Sequence, residues 1–289
     1  MALRSGYVKL GGLTIHHTYG GMGSPIVFIH GLGSSGYIEW RFNLGHFARS
    51  HRVFAPDLPG YGRSDKPRAA RYGIPYFART IDRYMASRRL RHAVVVGTSM
   101  GGRIALELAL HYPSRVGRLV LVNSLGLGRP RIQPYYPVMM VPRVGETLLR
   151  GMKHGLRLAP SDLIRRVAAR FIGAGGDLRK TMSDQYLDHM REMYAADGYP
   201  DAYLATVRSL ASPRNLFGGM DVSRRLGSIK APVMLIWGAN DPLFPLDQAT
   251  RAHNLLPGSR LAVIQGAGHT PQAERPEEFN RQLADYLRR

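Results

Sequence analysis

No cysteine occurs among the 289 residues. That absence removes disulfides, thiolate metal sites and cysteine nucleophiles from consideration. A long apolar run is missing too: no stretch approaches the length needed to span a bilayer. The leading segment Met1 to Gly12 is broken by Arg4 and Lys9 and does not read as a signal peptide. A cytoplasmic protein with no membrane partner is therefore expected. Lysine is scarce, at Lys9, Lys66, Lys153, Lys180 and Lys230, so arginine dominates the 40 basic residues that face 20 acidic ones. The net charge of +20 fits either a polyanion-binding surface or a solvated arginine-rich face. No helix-turn-helix, zinc-finger or RNA-binding signature is present, and the basic residues do not gather in one tail. Nucleic acid is not an expected partner, while attraction to anionic substrates stays open. Nothing in the chain sets an oligomeric state.

The most informative stretch is Gly97-Thr98-Ser99-Met100-Gly101, followed by Gly102. Upstream, Ala93-Val94-Val95-Val96 has the β-branched composition of a fully buried strand. Downstream, Arg103 to His111 has helix-forming composition, with apolar Ile104, Leu106, Leu108 and Leu110. A serine at a sharp strand-to-helix turn is a nucleophile elbow. Such a turn strains the serine backbone and crowds its neighbours, which is why small residues flank it.

Around this unit the chain alternates. Val8 to Leu10 and Leu13 to His16, joined by Gly11-Gly12, read as a hairpin. Apolar strands are expected at Pro25–Ile29, Arg52–Pro56, Leu119–Val122, Val233–Trp237 and Leu261–Ile264. Helices are expected near Phe42–Ala48, Tyr76–Arg89, Met100–His111, Asp247–Leu256 and Pro276–Arg288. Asp247 reads as a helix N-cap. Repeated βα units imply an α/β fold, a mostly parallel doubly wound sheet with helices on both faces. Between about Gly126 and Met220 the alternation stops, and helical spacings such as Leu148-Leu149 with Met152 take over. Residues 1–125 and 221–289 are thus expected to form the core and 126–220 an inserted helical cap. Tyr135, Tyr136, Met139 and Met140 cluster there and are expected to cover Ser99 and to select substrates by chain length.

A serine hydroxyl needs a base, an acid to orient that base, and donors for the oxyanion formed on attack. Of eleven histidines, His269 stands apart: Gly266-Ala267-Gly268-His269-Thr270-Pro271 is a small-residue loop just past the last strand. Strand ends are where open α/β sheets bind ligands. The expected acid is Asp241, in Gly238-Ala239-Asn240-Asp241-Pro242 directly after the Val233–Trp237 strand. A rival place, the end of the preceding strand, reads Asn123-Ser124 and offers no carboxylate. The oxyanion donors are expected to be the backbone N–H groups of Met100 and Leu32, with Gly33 as the alternative to Leu32. His30 is expected to hold its loop rather than to react.

These motifs together resemble the α/β-hydrolase superfamily, in the branch that carries a helical cap. The resemblance rests on His30-Gly31-Leu32-Gly33, on Asp57-Leu58-Pro59-Gly60-Tyr61-Gly62-Arg63-Ser64-Asp65, on the Ser99 elbow, on Gly238 to Pro242 and on Gly268-His269. The order Ser, Asp, His is also that family's order. Dehalogenases and epoxide hydrolases of this branch use aspartate where this chain has Ser99. Its carbon–carbon bond hydrolases often carry tryptophan after the catalytic histidine, where Thr270 stands here. The Asp57–Asp65 stretch is expected to be a structural turn.

The resulting expectation is a serine carboxylesterase. Ser99 attacks a small-molecule ester while His269 takes its proton, and water then releases the acyl group. Neither a metal nor an organic cofactor is called for. The first alternative is hydrolysis of a carbon–carbon bond in an aromatic ring-fission product, with cap arginines such as Arg165, Arg166 and Arg191 binding an acidic substrate. The second is a ligand receptor built on a hydrolase fold.

Overall fold

The computed structural model describes residues 2–131, 135–172 and 177–288, with the side chains of 135, 136, 170–172, 216 and 217 left aside. Eight strands form one sheet: β1 (Arg4–Lys9), β2 (Thr14–Gly20), β3 (Pro25–Ile29), β4 (Arg52–Pro56), β5 (Ala93–Thr98), β6 (Val116–Val122), β7 (Val233–Gly238) and β8 (Arg260–Ile264). Their spatial order is β1-β2-β4-β3-β5-β6-β7-β8. The first two strands pair antiparallel, and β3 to β8 run parallel.

Side-chain alternation sorts the parallel strands onto two cores. Val27, Ile29, Val95, Leu119, Leu121, Leu235 and Trp237 point to one face. Ile26, Phe28, Val94, Val96, Val120, Val122, Met234 and Ile236 point to the other. A strand buried on both faces has no polar side, so these segments read as continuous apolar runs. Helices Ile74–Ser87, Met100–His111 and Leu246–Asn254 cover the first face. Gly36–Trp40, Leu44–Phe47 and Pro276–Leu287 cover the second. After β3 the chain winds first to β4 on one side and then to β5 on the other. That reversal opens a crevice at the carboxyl ends of β3 and β5.

Three details differ from the sequence reading. The hairpin strands extend to Arg4–Lys9 and Thr14–Gly20, because β1 is an edge strand whose residues need little apolar patterning. The helix expected near Phe42 is two short ones, Gly36–Trp40 and Leu44–Phe47. Gly36 hides the first of these, since glycine is a poor helix former. It is needed there for close approach, as a Cβ would stand 2.3 Å from the Ala55 carbonyl oxygen. Finally, Asp247 is not an N-cap. The helix is Leu246–Asn254 with Pro245 at its cap, and Asp247 sits in the first turn, paired with Arg251. A carboxylate in that turn still favours the helix through its dipole.

Between β6 and β7 the chain runs through helices Tyr135–Met140, Val144–Leu158, Ser161–Ile172, Leu178–Thr181, Asp184–Ala195 and Tyr199–Leu210. Tyr199, Tyr203 and Leu204 of the last anchor this segment to the first-face core. No helix among the described residues is long and apolar enough to cross a membrane.

Candidate active site

Ser99 occupies the turn between β5 and Met100–His111, with φ 54° and ψ −120°. For a non-glycine residue this region costs on the order of 1–3 kcal/mol and persists only where the surroundings hold it. Here the surroundings do. Ser99 N–H donates to the Val122 carbonyl at 3.0 Å, and the Ser99 carbonyl accepts from Gly102, Arg103 and Leu125 at 3.0–3.3 Å. Backbone crowds in on both sides: a Cβ at Gly97 would lie 2.3 Å from Gly101 O, and one at Gly101 would lie 2.3 Å from Ile29 O. The side chain of Ser99 makes no cap hydrogen bond to the helix that follows it.

Ser99 and His269 line one cavity of ≈ 130 Å³, together with Gly31, Leu32 and Gly33 from the loop after β3. His269 follows β8 and is buried at 7% exposure. Its Nδ1 lies 2.9 Å from Asp241 Oδ2. Burial opposes the charged imidazole, but the Asp241 carboxylate outweighs it, so the His269 pKa lies above its ordinary 6.5. Asp241 is likewise opposed by burial, yet His269, Asn123 and the Leu243 N–H hold its pKa below the usual carboxylate value. Its Oδ1 accepts from Leu243 N at 2.7 Å and Phe244 N at 3.1 Å. The loop backbone thus fixes the carboxylate before any substrate arrives. Leu32 stands in the loop after β3 and lines the cavity, and Met100 begins the helix after Ser99. No hydrogen bond among the described residues occupies either N–H.

Sequence reasoning missed Asn123, which it passed over for lacking a carboxylate. Asn123 ends the β6 run with φ 40°. Its Nδ2 donates to Asp241 Oδ2, and its Oδ1 accepts from Gly238 N at 3.0 Å. The amide spans from one strand end to the next and braces the acid. An asparagine in place of a carboxylate at a strand end was the available signal.

His30 holds its loop as expected. Its Nε2 accepts from Leu58 N at 2.9 Å, which leaves Nδ1 to donate to the Gly31 carbonyl at 2.7 Å. The Asp57–Asp65 turn is a bracket: Asp57 accepts from Gly36 N, Arg63 N and His16, and Asp65 accepts from Thr14 N.

The cavity wall from the inserted helices differs from the expected one. Thr181, Met182 and Tyr186 form it. Met139 is buried in the core packing and Met140 is half-buried, and neither lines the cavity. The side chains of Tyr135 and Tyr136 lie outside the described residues. Nor do the named arginines reach it. Arg165 is bound to Asp162, Asp184 and the Met182 carbonyl. Arg191 donates to Leu156 O and Asp188, and Arg166 is exposed. The arginine in the cavity is Arg41, from the loop after Gly36–Trp40, and Glu39 stands in the same wall. Neither was singled out from the sequence, because a short helix begun by glycine gave no sign of facing the site.

The α/β-hydrolase fold profile matches residues 24–276. A 2-hydroxy-6-oxononadienedioate/2-hydroxy-6-oxononatrienedioate hydrolase of Paraburkholderia phymatum is 32% identical, over 95% of this chain and 91% of its own. A 2-hydroxy-6-oxo-6-phenylhexa-2,4-dienoate hydrolase of Comamonas testosteroni is 30% identical, over 95% and 91%. Among solved structures, an N-acyl homoserine lactone degrading enzyme superposes with TM-score 0.74 and 28% identity, covering 97% of this chain and all of that one. A meta-cleavage product hydrolase from Pseudomonas fluorescens superposes with TM-score 0.78 at 24% identity, over 99% and 97%, a likeness of fold. With the sheet order, the Ser99 elbow and a profile match over most of its length, this chain belongs to the α/β-hydrolase fold family.

Proposed function

We propose that this hydrolase cleaves a carbon–carbon bond in a ring-fission product, a 2-hydroxy-6-oxo dienoate, with Ser99 as nucleophile, His269 as base and Asp241 as its orienting acid. The observation that carries this reading is the near full-length likeness to two hydrolases of such compounds, at 30–32% identity. The Asp241–His269 pair beside the Ser99 elbow fits it. The reading departs from the ester hydrolysis expected from the sequence, where Thr270 in place of an aromatic residue weighed towards esters.

In this scheme the conjugated dienol first shifts to its keto tautomer, which leaves a saturated carbon beside the distal ketone. His269 Nε2 takes the Ser99 proton as Oγ attacks that ketone. The N–H groups of Leu32 and Met100 stabilise the oxyanion. On collapse, the bond to the saturated carbon breaks. Its electron pair passes into the neighbouring enone, and the resulting dienolate takes the proton that His269 gained from Ser99, which returns His269 to its neutral form. The acyl group stays on Ser99 until water, deprotonated by His269, attacks it and releases the acid. Residues 126–220 serve as a cap, with Thr181, Met182 and Tyr186 closing the cavity.

Ester hydrolysis is the second reading, and one observation favours it: the 28%-identical structure is that of an enzyme degrading N-acyl homoserine lactone, a compound that contains a cyclic ester. The decisive assay follows loss of a 2-hydroxy-6-oxo-6-phenyl dienoate chromophore and release of p-nitrophenol from short and medium esters, on one preparation. The proposal expects kcat/KM on the dienoate to exceed that on the best ester by at least ~10-fold. The reverse ratio returns the protein to the esterases.

A further inference from the structure

Arg41 is the arginine among the residues that line the cavity. Its guanidinium shares the wall with Ser99 and His269, yet it forms no ion pair with any carboxylate among the described residues. Nη1 donates to the Ile38 carbonyl and Nη2 to the Thr181 carbonyl, so the group is gripped from the core and from the inserted helices. Two rings flank it, with the guanidinium carbon 4.4 Å from the Phe42 centroid and 4.8 Å from that of Tyr186. Nε is buried without a partner. Burial presses the Arg41 pKa below the ordinary guanidinium value. Taking a cation out of water costs several kcal/mol unless an anion and hydrogen bonds compensate it. Two carbonyls and the attraction of the nearby Glu39 carboxylate offset that cost only in part, since burial still prevails.

We propose that Arg41 is the substrate-carboxylate site: an anionic group on the substrate enters the cavity beside the guanidinium, and this contact selects acidic substrates over neutral ones. The assignment rests on the active-site reading above, because it is Ser99 and His269 that make this cavity a substrate site. It does not depend on which bond breaks. A guanidinium in contact with two rings and fixed by two carbonyls keeps its remaining N–H groups pointing in set directions, the condition for directional recognition of a carboxylate. Glu39 supplies the opposite polarity. Its carboxylate accepts from Gln272 Nε2 at 2.6 Å and lines the same cavity. Glu39 repels an acid from its part of the wall, so the carboxylate has one favoured place and the substrate one favoured orientation. The role that the cap arginines were expected to play falls to a residue of the core.

The test pairs substrates with and without a free carboxylate: the 2-hydroxy-6-oxo-6-phenyl dienoate against its methyl ester, and the mono-p-nitrophenyl ester of glutaric acid against the p-nitrophenyl ester of its monomethyl ester. Wild type, Arg41→Gln and Arg41→Lys are compared, each with its melting temperature. Because truncating a buried charge contact typically costs a factor of ~30 or more, the Gln variant should lose at least that in the anionic-to-neutral ratio of kcat/KM, mainly through KM. The Lys variant should recover part of it. An unchanged ratio, with both members of a pair losing equally, would make Arg41 a tie between core and inserted helices and overturn the proposal. Should the Gln variant fail to fold, wild type alone decides: equal rates on each acid and its neutral partner also overturn it. If the dienoates are inert while the glutarate preference depends on Arg41, the carbon–carbon reading falls and this inference stands. If both dienoates are cleaved equally well, the reverse holds.

Discussion

Two buried histidine–aspartate pairs lie within this chain, and their geometry is nearly the same. His269 Nδ1 is 2.9 Å from Asp241 Oδ2, and His16 Nδ1 is 2.9 Å from Asp57 Oδ2. Each aspartate also accepts two backbone N–H groups, Leu243 and Phe244 in one case and Gly36 and Arg63 in the other. They differ at the far nitrogen. His269 faces a cavity that contains Ser99, whereas His16 Nε2 is buried with no partner. The pair itself is therefore not the signature of chemistry. What distinguishes the His269 copy is that its imidazole lines a cavity shared with a serine, which is where the proposed chemistry is assigned. The other copy pins β2 to the turn after β4.

The sharpest way to break this comparison is to remove the nucleophile. Ser99→Ala should keep the fold and lower turnover by ~10⁴ or more, since no other hydroxyl in the comparison faces an imidazole. Activity within tenfold of wild type would end the assignment. Next come the two aspartates, changed in parallel. Asp241→Asn should lower kcat by ~10⁴ through loss of the correct tautomer, with a small change in melting temperature. Asp57→Ala should act the other way round. It strands three donors in the interior at a cost of ~2–4 kcal/mol, a drop in melting temperature of several degrees, while the folded fraction stays active. Interchanged outcomes would assign the chemistry to the wrong pair.

A pH profile sharpens the same point. The base must be neutral to act, and Asp241 raises its pKa, so the acid limb of kcat/KM should fall at a pH above 6.5. In Asp241→Asn the residual activity should titrate lower, because the main raising influence is gone. An acid limb that ignores the substitution would assign it to another group. Asn123→Ala should have a smaller effect, a fall of ~10-fold in kcat, the worth of one hydrogen bond to a charged acceptor. A fall in KM-dependent terms alone, with kcat intact, would deny Asn123 its bracing role.

The smallest effect concerns stability. His17, neighbour to the structural pair, is buried, and desolvation with the nearby Arg88 and His16 lowers its pKa from 6.5 to about 4. An unfolded chain takes up that proton below 6.5, whereas the folded one takes it up only near 4. Stability should therefore decline as pH falls through this window, and His17→Gln should flatten the decline seen in thermal melts. An unaltered slope would place the acid sensitivity elsewhere.

Much of this was legible in the sequence because of how the site is built. Ser99, Asp241 and His269 each follow a short apolar run that reads as a buried strand, so their placement at one sheet edge follows from chain order and parallel topology. The close packing at Gly97 and Gly101 leaves a mark in the residues themselves. Arg41, Glu39, Thr181 and Tyr186 left no such mark. Which helix faces the cavity depends on how segments far apart in sequence pack, and an amphipathic pattern says only that a helix has a buried side. Asn123 was overlooked for a different reason. Its contribution is to hold another residue, and that becomes visible only when the Asp241 oxygens have been counted.

The sheet order also bears on how such proteins diversify. β6 and β7 are neighbours, with Val122 paired to Ile236, so the long excursion between them leaves and re-enters the sheet at adjacent points. Its ends are already held together by the ladder. The entropic cost of closing that excursion grows only slowly with its length. Helices there can be lengthened, shortened or exchanged as a cassette without shifting the register that carries Ser99, Asp241 and His269. On such a sheet the roof can be rewritten while the floor that holds the three strand-end residues stays in place.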